Sequence, residues 1–555
     1  MIGKKRQHRF ETKLTLFTGA LLFASVFGWS GVSGLSGEEP RRALVSLEML
    51  QNQNWFFPRL LGWPYYNKPP IFNWIQALFF GLTGSTGEWV VRLPSMLAFL
   101  ITGLLLFRLV KKEFNRPTAL ATMMLFYVTA ELLYYGTLSA GELDMFFTLF
   151  VFLNAWAIFH FYQKGRIVQM FLISYLAAFT GLLIKGLPGV LFHLITLSGW
   201  LIYERRFRML FSLKHLAGIA LFLLLSVGYF LLLDSRDYAI PFIVRQFKES
   251  SQRTFLETSL FKTITGLAVN PLRVVLLGFP SSLIIIAGLT HRRLRKTLKA
   301  EPLIRFSLLF MVLNLPVYLI TGDFKSRYVY PFFPFMAIAA GYSWHFLMKY
   351  PGGLKQLSER LFQVIIALTP VALFSVFLFT PVRDNIGSVT LQVLLIVAGI
   401  VVLTGWYRTS VNRLILLVLS MVFLRMGEGN VYIHALKTNS HPAECIAMAD
   451  SLASGTASGP LRIAGRPMIY DPKIKFFGYT LPTPAIRAVP FMSYQIAWYY
   501  WQKTGYQPVY DTTVHSGTYT LIPERDISGS PDSVIYRYTD RSNNRAWYLL
   551  PPSGD

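Results

Sequence analysis

The sequence has a single cysteine, few acidic residues and little charge overall. The lone cysteine, Cys445, excludes an intramolecular disulfide and any zinc site built on cysteines. Only 15% of the 555 residues are charged, well below the roughly 25% of an average soluble domain. The chain therefore lacks the polar residues to cover several soluble domains. Its hydrophobic content of 53% also excludes intrinsic disorder.

The shortage of acidic residues leaves a strongly basic chain. There are 28 Asp and Glu against 53 Lys and Arg, a formal net charge of +25. In a soluble protein this balance would indicate nucleic-acid binding. Here the basic clusters fall between apolar runs, as they do in the cytoplasmic loops of membrane proteins. We therefore expect contacts with membrane lipids and no nucleic-acid partner.

The apolar runs predict about thirteen membrane spans, each needing roughly 20 residues. The basic N-terminus leads into the first run without a small-residue cleavage site, which predicts a retained signal anchor. Alternate connections such as RLVKKEFNR and YERRFRMLFSLKH are short and basic, hence cytoplasmic. This places the N-terminus in the cytoplasm and the tail outside. The predicted spans are 14–33, 90–110, 117–135, 142–162, 168–184, 187–203, 215–233, 270–290, 304–321, 329–348, 361–381, 388–406 and 414–433.

The tail differs in composition from the rest of the chain. Short alternating runs such as SGTYTLIPERD and DSVIYRYTDR, separated by turn residues, predict strands. The predicted fold class is an all-α polytopic membrane domain with outer amphipathic helices, residues 1–434, followed by a small soluble α/β domain. The soluble domain covers residues 435–555 and would lie outside the membrane.

The long outer connection after the first span carries unusual charged residues. Glu38 and Glu39 follow the span directly, and the helical pattern ALVSLEML comes next. Its apolar face predicts a helix lying on the membrane plane. The turn NKPP then fixes the direction of Lys68 with two prolines, and a second helix, FNWIQALFF, follows.

Further charged residues fall on the same predicted side: Asp144, Lys185, Arg253 and Arg327. Cations beside a bilayer suit a phosphate head group, which arginine can bind in a bidentate manner. Carboxylates suit deprotonation of a hydroxyl acceptor or stabilisation of positive charge at a sugar carbon. A lipid-phosphate sugar presents both needs in one molecule, and cations can stabilise its phosphate leaving group.

The motifs along the chain also resemble those of a known family. They are GEEPRRA, WFFPR, NKPPIFNW, RLPS, ELDM, the Lys-Gly turn at residue 185 and RYVYP, which ends at residue 331. In this order they resemble the lipid A aminoarabinose transferases. More broadly, they resemble the bacterial relatives of protein mannosyltransferases, polytopic GT-C enzymes that take a sugar from a polyprenyl-phosphate carrier.

The resemblance implies roles for the charged residues. Glu38 corresponds to the family's catalytic acidic residue, usually Asp, while Glu39 and Asp144 are further catalytic candidates. The implied ligands of the donor phosphate are Lys68, Arg253, Lys185, Arg327 and Tyr328. Each residue also has a structural alternative. A glutamate can complement a helix dipole, a lysine can snorkel to the interface, and an arginine beside tyrosine can belong to an aromatic belt.

Two positions depart from the aminoarabinose type. Asn67 and Ser250 stand where that type has Glu and His, positions associated with a metal. Asparagine and serine are poor zinc ligands. We therefore predict no metal and no other cofactor, and the choice of aminoarabinose as the sugar is weakened.

These observations predict a glycosyltransferase of the bacterial inner membrane. It would move a sugar, with inversion, from a polyprenyl-phosphate carrier to an envelope acceptor, either a lipid A-like glycolipid or a protein. The alternative is a lipid-linked-sugar flippase or secondary transporter, which would have charges near the bilayer midplane and broken helices. A third interpretation is an assembly partner that has lost activity. The sugar and the acceptor remain open.

Overall fold

The computed structural model describes most of the chain, and all statements below concern that part. The described residues are 2–135, 140–235, 238–251, 260–319, 324–350, 353–378, 380–409, 412–438, 441–457, 459–464, 469–476, 479–485, 492–511, 518–523, 534–540 and 545–552.

The described chain is mostly helical. Its helices are α1 (Ile2–Phe27), α2 (Glu39–Gln51), α3 (Ile71–Thr83), α4 (Glu88–Glu113), α5 (Arg116–Tyr127), α6 (Leu143–Gln163), α7 (Ile167–Lys185), α8 (Leu187–Tyr203), α9 (Leu213–Asp234), α10 (Ala239–Ser251), α11 (Leu260–Leu277), α12 (Ser281–Thr290), α13 (Arg292–Ala300), α14 (Pro302–Asn314), α15 (Pro316–Leu319), α16 (Phe333–Lys349), α17 (Gly353–Ser375), α18 (Thr380–Arg383), α19 (Ile386–Arg408), α20 (Arg413–Thr438), α21 (His441–Gly455) and α22 (Tyr494–Thr504). A π-helix covers Glu131–Tyr135, and 3₁₀ segments cover Phe207–Phe211, Ser326–Phe332 and Val376–Leu378.

The strands are few and short. They are β1 (Arg59–Leu60), β2 (Trp63–Pro64), β3 (Leu461–Ala464), β4 (Ile469–Phe476), β5 (Tyr479–Ala485), β6 (Val509–Asp511), β7 (Tyr519–Pro523), β8 (Tyr536–Asp540) and β9 (Arg545–Leu550). Five of them form a mixed sheet in the tail, in the order β6-β3-β7-β9-β8, with β3 parallel to both β6 and β7. The antiparallel pairs β1-β2 and β4-β5 are separate.

The helices confirm a multi-pass membrane architecture. Within the described residues, nine helices are long and apolar enough to cross a bilayer, or ten if α11 and α12, bent by 108°, count as one span. The prediction of thirteen spans stays a prediction. The difference lies in α5, α8 and α16, which have 12, 17 and 17 residues. The 3₁₀ segment Ser326–Phe332 runs directly into α16, and the π-helix Glu131–Tyr135 follows shortly after the end of α5.

The outer surface of the bundle fits a lipid environment. Large apolar side chains stand exposed along the long helices, such as Leu213 (83% exposed), Leu224 (71%) and Val371 (64%). A soluble protein would not leave such continuous apolar faces in water. In a bilayer the hydrocarbon covers these faces, and each helix satisfies its own backbone hydrogen bonds.

Helix α2 forms as the sequence predicts, but it is buried far more completely than a helix lying on a membrane surface. Residues 42–49 are all buried, polar positions included. Helix α3 packs on one side and α22, from the tail, packs on another. A second hydrophobic core therefore joins α2, the β1-β2 segment, α21, α22 and the tail sheet.

Candidate functional site

The first turn of α2 is fixed by a buried ion pair between Glu39 and Arg92. The guanidinium Nε lies 2.8 Å from one carboxylate oxygen and Nη2 lies 3.1 Å from the other. The same carboxylate accepts hydrogen bonds from the backbone N–H of Ser36 (2.8 Å) and of Gly141 (2.5 Å). Glu39 is fully buried. Its acceptor positions are thus occupied by contacts that tie α2 to α4 and to the start of α6.

The start of α6 carries a second buried ion pair. Asp144 lies in the first turn of α6 and pairs with Lys185, the last residue of α7. Asp144 is 3% exposed and Lys185 is 9% exposed. The ammonium of Lys185 also lies 4.8 Å from the ring centre of Phe147 and 5.7 Å from that of Tyr328. The structure thus brings together three residues that the sequence assigned to the site: Asp144, Lys185 and Tyr328.

A third ion pair lies beside the second. Glu142, which caps α6, pairs with Arg327 in the 3₁₀ segment that precedes α16. The backbone carbonyl of Glu142 accepts a hydrogen bond from the Ser95 hydroxyl at 2.5 Å. The loop before α6 is therefore held from α4 by Ser95 and from α2 by Glu39.

The charges of this cluster act on one another. Burial raises the pKa of Glu142 above its ordinary value, and the neighbouring Asp144 carboxylate raises it further. Burial lowers the pKa of Arg327, but the Asp144 and Glu142 carboxylates outweigh this effect and raise it overall. A carboxyl group whose pKa is raised by burial is suited to proton transfer.

The Lys68 turn is joined to the cluster through α10. Lys68 is half-buried and engaged in contacts within the fold. The Gln246 side chain donates a hydrogen bond to the Asn67 carbonyl at 3.1 Å. The same side chain packs against Gly186, where an added Cβ would lie 2.2 Å from its oxygen. Gln246 thus bridges the turn before Lys68 and the turn after Lys185.

The remaining predicted site residues lie differently. Glu38 precedes α2, is half-buried and pairs with Arg41 one turn along the helix. Arg253 lies outside the described residues, two positions beyond the end of α10. No group of three or more potential metal-ligating side chains occurs within the described ranges. At the two positions associated with a metal in the aminoarabinose type, Asn67 has an amide side chain, and the side chain of Ser250 is not among those described.

Three features of the site were not assigned from the sequence. Glu142 was noted only as part of a motif, although its partner Arg327 was predicted. Gln246 had no motif signal. Arg42 stood in the quoted segment without a role, yet it is 3% exposed.

The sequence and the fold are both similar to those of known proteins. The family model described as dolichyl-phosphate-mannose-protein mannosyltransferase matches residues 67–230. That range contains Lys68, Asp144 and Lys185. It does not contain Glu38 or Arg327.

Curated relatives match a similar part of the chain. The undecaprenyl phosphate-alpha-4-amino-4-deoxy-L-arabinose arabinosyl transferase of Edwardsiella ictaluri is 30% identical over 191 residues, 34% of this chain and 34% of the relative. The enzyme of the same description from Pseudomonas aeruginosa is 28% identical over 204 residues, 36% of each chain. The match spans about a third of the length of these relatives.

A solved structure extends the likeness to the whole fold. The crystal structure of ArnT from Cupriavidus metallidurans bound to undecaprenyl phosphate superposes with a TM-score of 0.66 at 16% identity, covering 98% of this chain and 100% of that one. Its apo form gives a TM-score of 0.67. The comparisons confirm the resemblance predicted from the motifs: the chain has the fold of an aminoarabinose transferase and is similar to the PMT-like glycosyltransferases of the GT-C class.

Proposed function

We propose that this protein is a membrane glycosyltransferase that moves a sugar from a polyprenyl-phosphate carrier to an envelope acceptor. The acceptor is a lipid A-like glycolipid, and a protein acceptor is the less supported choice. The proposal is supported by the likeness to the arabinosyl transferases and by the fold shared with a protein crystallised with undecaprenyl phosphate.

The observation that carries the proposal is a pair of adjacent ion pairs, the buried Asp144–Lys185 and the half-buried Glu142–Arg327. Holding four charged groups close together, two of them buried, is costly for folding. Such a cluster is well suited to a substrate that itself brings a negative phosphate and a reaction centre that becomes positive.

The cluster suggests how a donor would bind. A donor phosphate arriving beside Lys185 or Arg327 competes with the carboxylate for the same cation. When the cation turns from its carboxylate to the phosphate, its positive charge stabilises the phosphate as a leaving group. The carboxylate is then free to face the sugar or the acceptor. Lys68 and Arg253 would complete the phosphate site from the outer segments.

The role of Glu38 depends on the acceptor. A hydroxyl acceptor needs a base, and Glu38 is the carboxylate that we assign to orient or deprotonate it. A phosphate acceptor, as in lipid A modification, is already ionised, so Glu38 would then only position it. The attack on the anomeric carbon would occur on the outer face with inversion. The N-terminus would lie in the cytoplasm, and the tail from about residue 435 would form an outer α/β domain.

The proposal includes no metal. The amide of Asn67 is a weak ligand for zinc, and the phosphate-binding cations supply the positive charge that a metal would otherwise bring. Transfer that continues in the presence of a strong chelator is the expected result.

The test is a transfer assay in liposomes. Purified protein would be supplied with radiolabelled polyprenyl-phosphate sugars, including aminoarabinose, and with lipid A. Lys68→Ala should lose transfer to either kind of acceptor, and Glu38→Gln should lose transfer where the acceptor group is a hydroxyl. The matched control is Lys503→Ala, which breaks the exposed surface pair with Asp450 and should keep it.

Two outcomes would overturn the proposal. Label that crosses the bilayer without forming a new product would favour the flippase. Transfer that is intact in Glu38→Gln and Lys68→Ala would show that the catalytic residues are elsewhere.

A further inference from the structure

Arg42 is a buried cation that takes no part in the ion pairs found among the described residues. Its side chain is 3% exposed, and within the described part of the chain its Nε and Nη1 make no hydrogen bond. Burying guanidinium N–H groups unsatisfied costs free energy. A group placed in this way is expected to meet a ligand that the protein itself does not provide.

The surroundings of Arg42 define the kind of ligand. Arg42 lies within electrostatic reach of Glu142 and Asp144, the carboxylates of the two central ion pairs. Each of those carboxylates already has its own cation, Arg327 or Lys185. The five charges therefore sum to one unit positive. The excess charge sits on Arg42, which favours an anion.

The position of Arg42 is fixed rather than adaptable. Its backbone carbonyl accepts hydrogen bonds from the Ser46 hydroxyl (2.9 Å) and from the Asn73 side chain (3.1 Å) on α3. The guanidinium carbon lies 5.8 Å from the ring centre of Phe72. A turn held on two helices presents its side chain with little ordering cost on binding.

A second unsatisfied donor lies nearby. Tyr65 is 2% exposed, and its hydroxyl has no hydrogen-bond partner among the described residues. Tyr65 belongs to the segment that leads to Lys68, and it interacts electrostatically with Arg42. The unsatisfied Tyr65 hydroxyl therefore lies in the same core as the residues that follow Arg42 on α2.

We propose that Arg42 binds the phosphate of a lipid-phosphate substrate directly, through the fork of its guanidinium, with the Tyr65 hydroxyl as a second donor. The inference rests on the proposed function and gives a role to Arg42, a residue to which the resemblance assigns none and which lies outside the matched segment, residues 67–230. The phosphate belongs either to the polyprenyl carrier or to a phosphorylated glycolipid acceptor, and the chemistry of the contact is the same in both cases.

The test measures the part of the affinity that belongs to the phosphate. Binding of undecaprenyl phosphate and of undecaprenol to the full-length protein in detergent would be followed by thermal unfolding and by tryptophan fluorescence. A second arm compares lipid A with dephosphorylated lipid A. Arg42→Met should weaken binding of a phosphorylated lipid by about 30-fold or more, the loss expected for a buried charged hydrogen bond. Binding of the phosphate-free lipid should not change.

The lipid whose binding is weakened by Arg42→Met, undecaprenyl phosphate or lipid A, identifies the source of the phosphate. Arg383→Met, at an exposed arginine of α18, is the matched control and should leave both affinities unchanged. Arg42→Lys keeps the charge but not the fork, and should give an intermediate loss. If Arg42→Met does not fold, Arg42→Lys decides. An unchanged preference for phosphorylated lipid in that variant would overturn the inference.

The failures are separable. A wild-type protein with no preference for phosphorylated over phosphate-free lipid would refute the proposed function itself. A wild-type preference that Arg42→Met retains in full would refute only the role of Arg42. A lower unfolding temperature of the free Arg42→Met protein, with the ligand preference kept, would show a purely structural role.

Discussion

The buried pair between Glu39 and Arg92 offers a sharp test of how the first turn of α2 is used. Glu39 was a catalytic candidate on sequence grounds, but its carboxylate is occupied by Arg92 and by two backbone N–H groups. We expect it to act as a positioning residue. The perturbation is a double-mutant cycle with Glu39→Gln, Arg92→Gln and the combined variant.

The expected loss of stability follows from the burial of both side chains. Glu39 is 0% exposed and Arg92 is 1% exposed, so removing either charge leaves the other uncompensated in a dry place. Breaking a buried pair in this way costs about 3–5 kcal/mol of stability. In the double variant no bare charge remains, so the two losses should not add. We expect a coupling energy of about 2 kcal/mol or more.

The assay is thermal or denaturant unfolding in detergent, run beside sugar transfer per folded molecule. The exposed pair Asp450–Lys503, whose side chains are about half exposed, serves as the control cycle. It should give a coupling of about 0.5 kcal/mol. The reasoning would be refuted by a Glu39→Gln protein of wild-type stability that has lost transfer, because this result would make Glu39 a catalytic residue.

Further variants probe the surroundings of the site. Gly186 has a φ of +85° and no room for a Cβ, so Gly186→Ala should destabilise the protein by about 1–2 kcal/mol, while Gly228→Ala in an open helical position should be neutral or stabilising. Burial raises the pKa of Glu48 to about 7, so the folded protein keeps a proton that the unfolded chain releases. Stability should fall as pH rises from about 4.5 through about 7, by up to about 3 kcal/mol, and Glu48→Gln should abolish that fall in unfolding curves taken at several pH values. The Tyr499 hydroxyl accepts the Leu35 backbone N–H at 2.7 Å; Tyr499→Phe leaves this buried donor unsatisfied and should cost about 1–3 kcal/mol in unfolding. An unchanged unfolding midpoint in that variant would show that the tail does not stabilise the entrance to α2.

Much of the architecture was predictable from local pattern. Apolar runs of span length, and the two short helices at 39–51 and 71–83, depend on composition and periodicity that any window of the sequence displays. The motif order was enough to indicate a polyprenyl-phosphate-dependent enzyme. The count of spans was less predictable. A hydropathy window does not show that the apolar run at 117–135 divides into α5 and a π-helix, or that a 3₁₀ segment precedes α16.

What each charged residue contacts was decided only by the tertiary structure. Arg327 meets Glu142 across 185 positions, and Lys185 meets Asp144 across 41. The sequence named most of these residues as a group of cations and carboxylates on one side, but it could not show that they neutralise one another in pairs. Pairing depends on which helix ends meet, and this is set by packing between distant segments.

The sequence by itself determined the kind of protein, because the length and polarity of a run decide whether it can cross a bilayer. Only the folded chain decided that the tail packs on α2 and that Glu39 joins α2 to α4 through Arg92. Only the folded chain, too, decided that Arg42 is buried with two guanidinium nitrogens unsatisfied among the described residues. Burial and charge balance are properties of the assembled site. The arginine three residues after Glu39 has the same sequence context whether water or other side chains surround it.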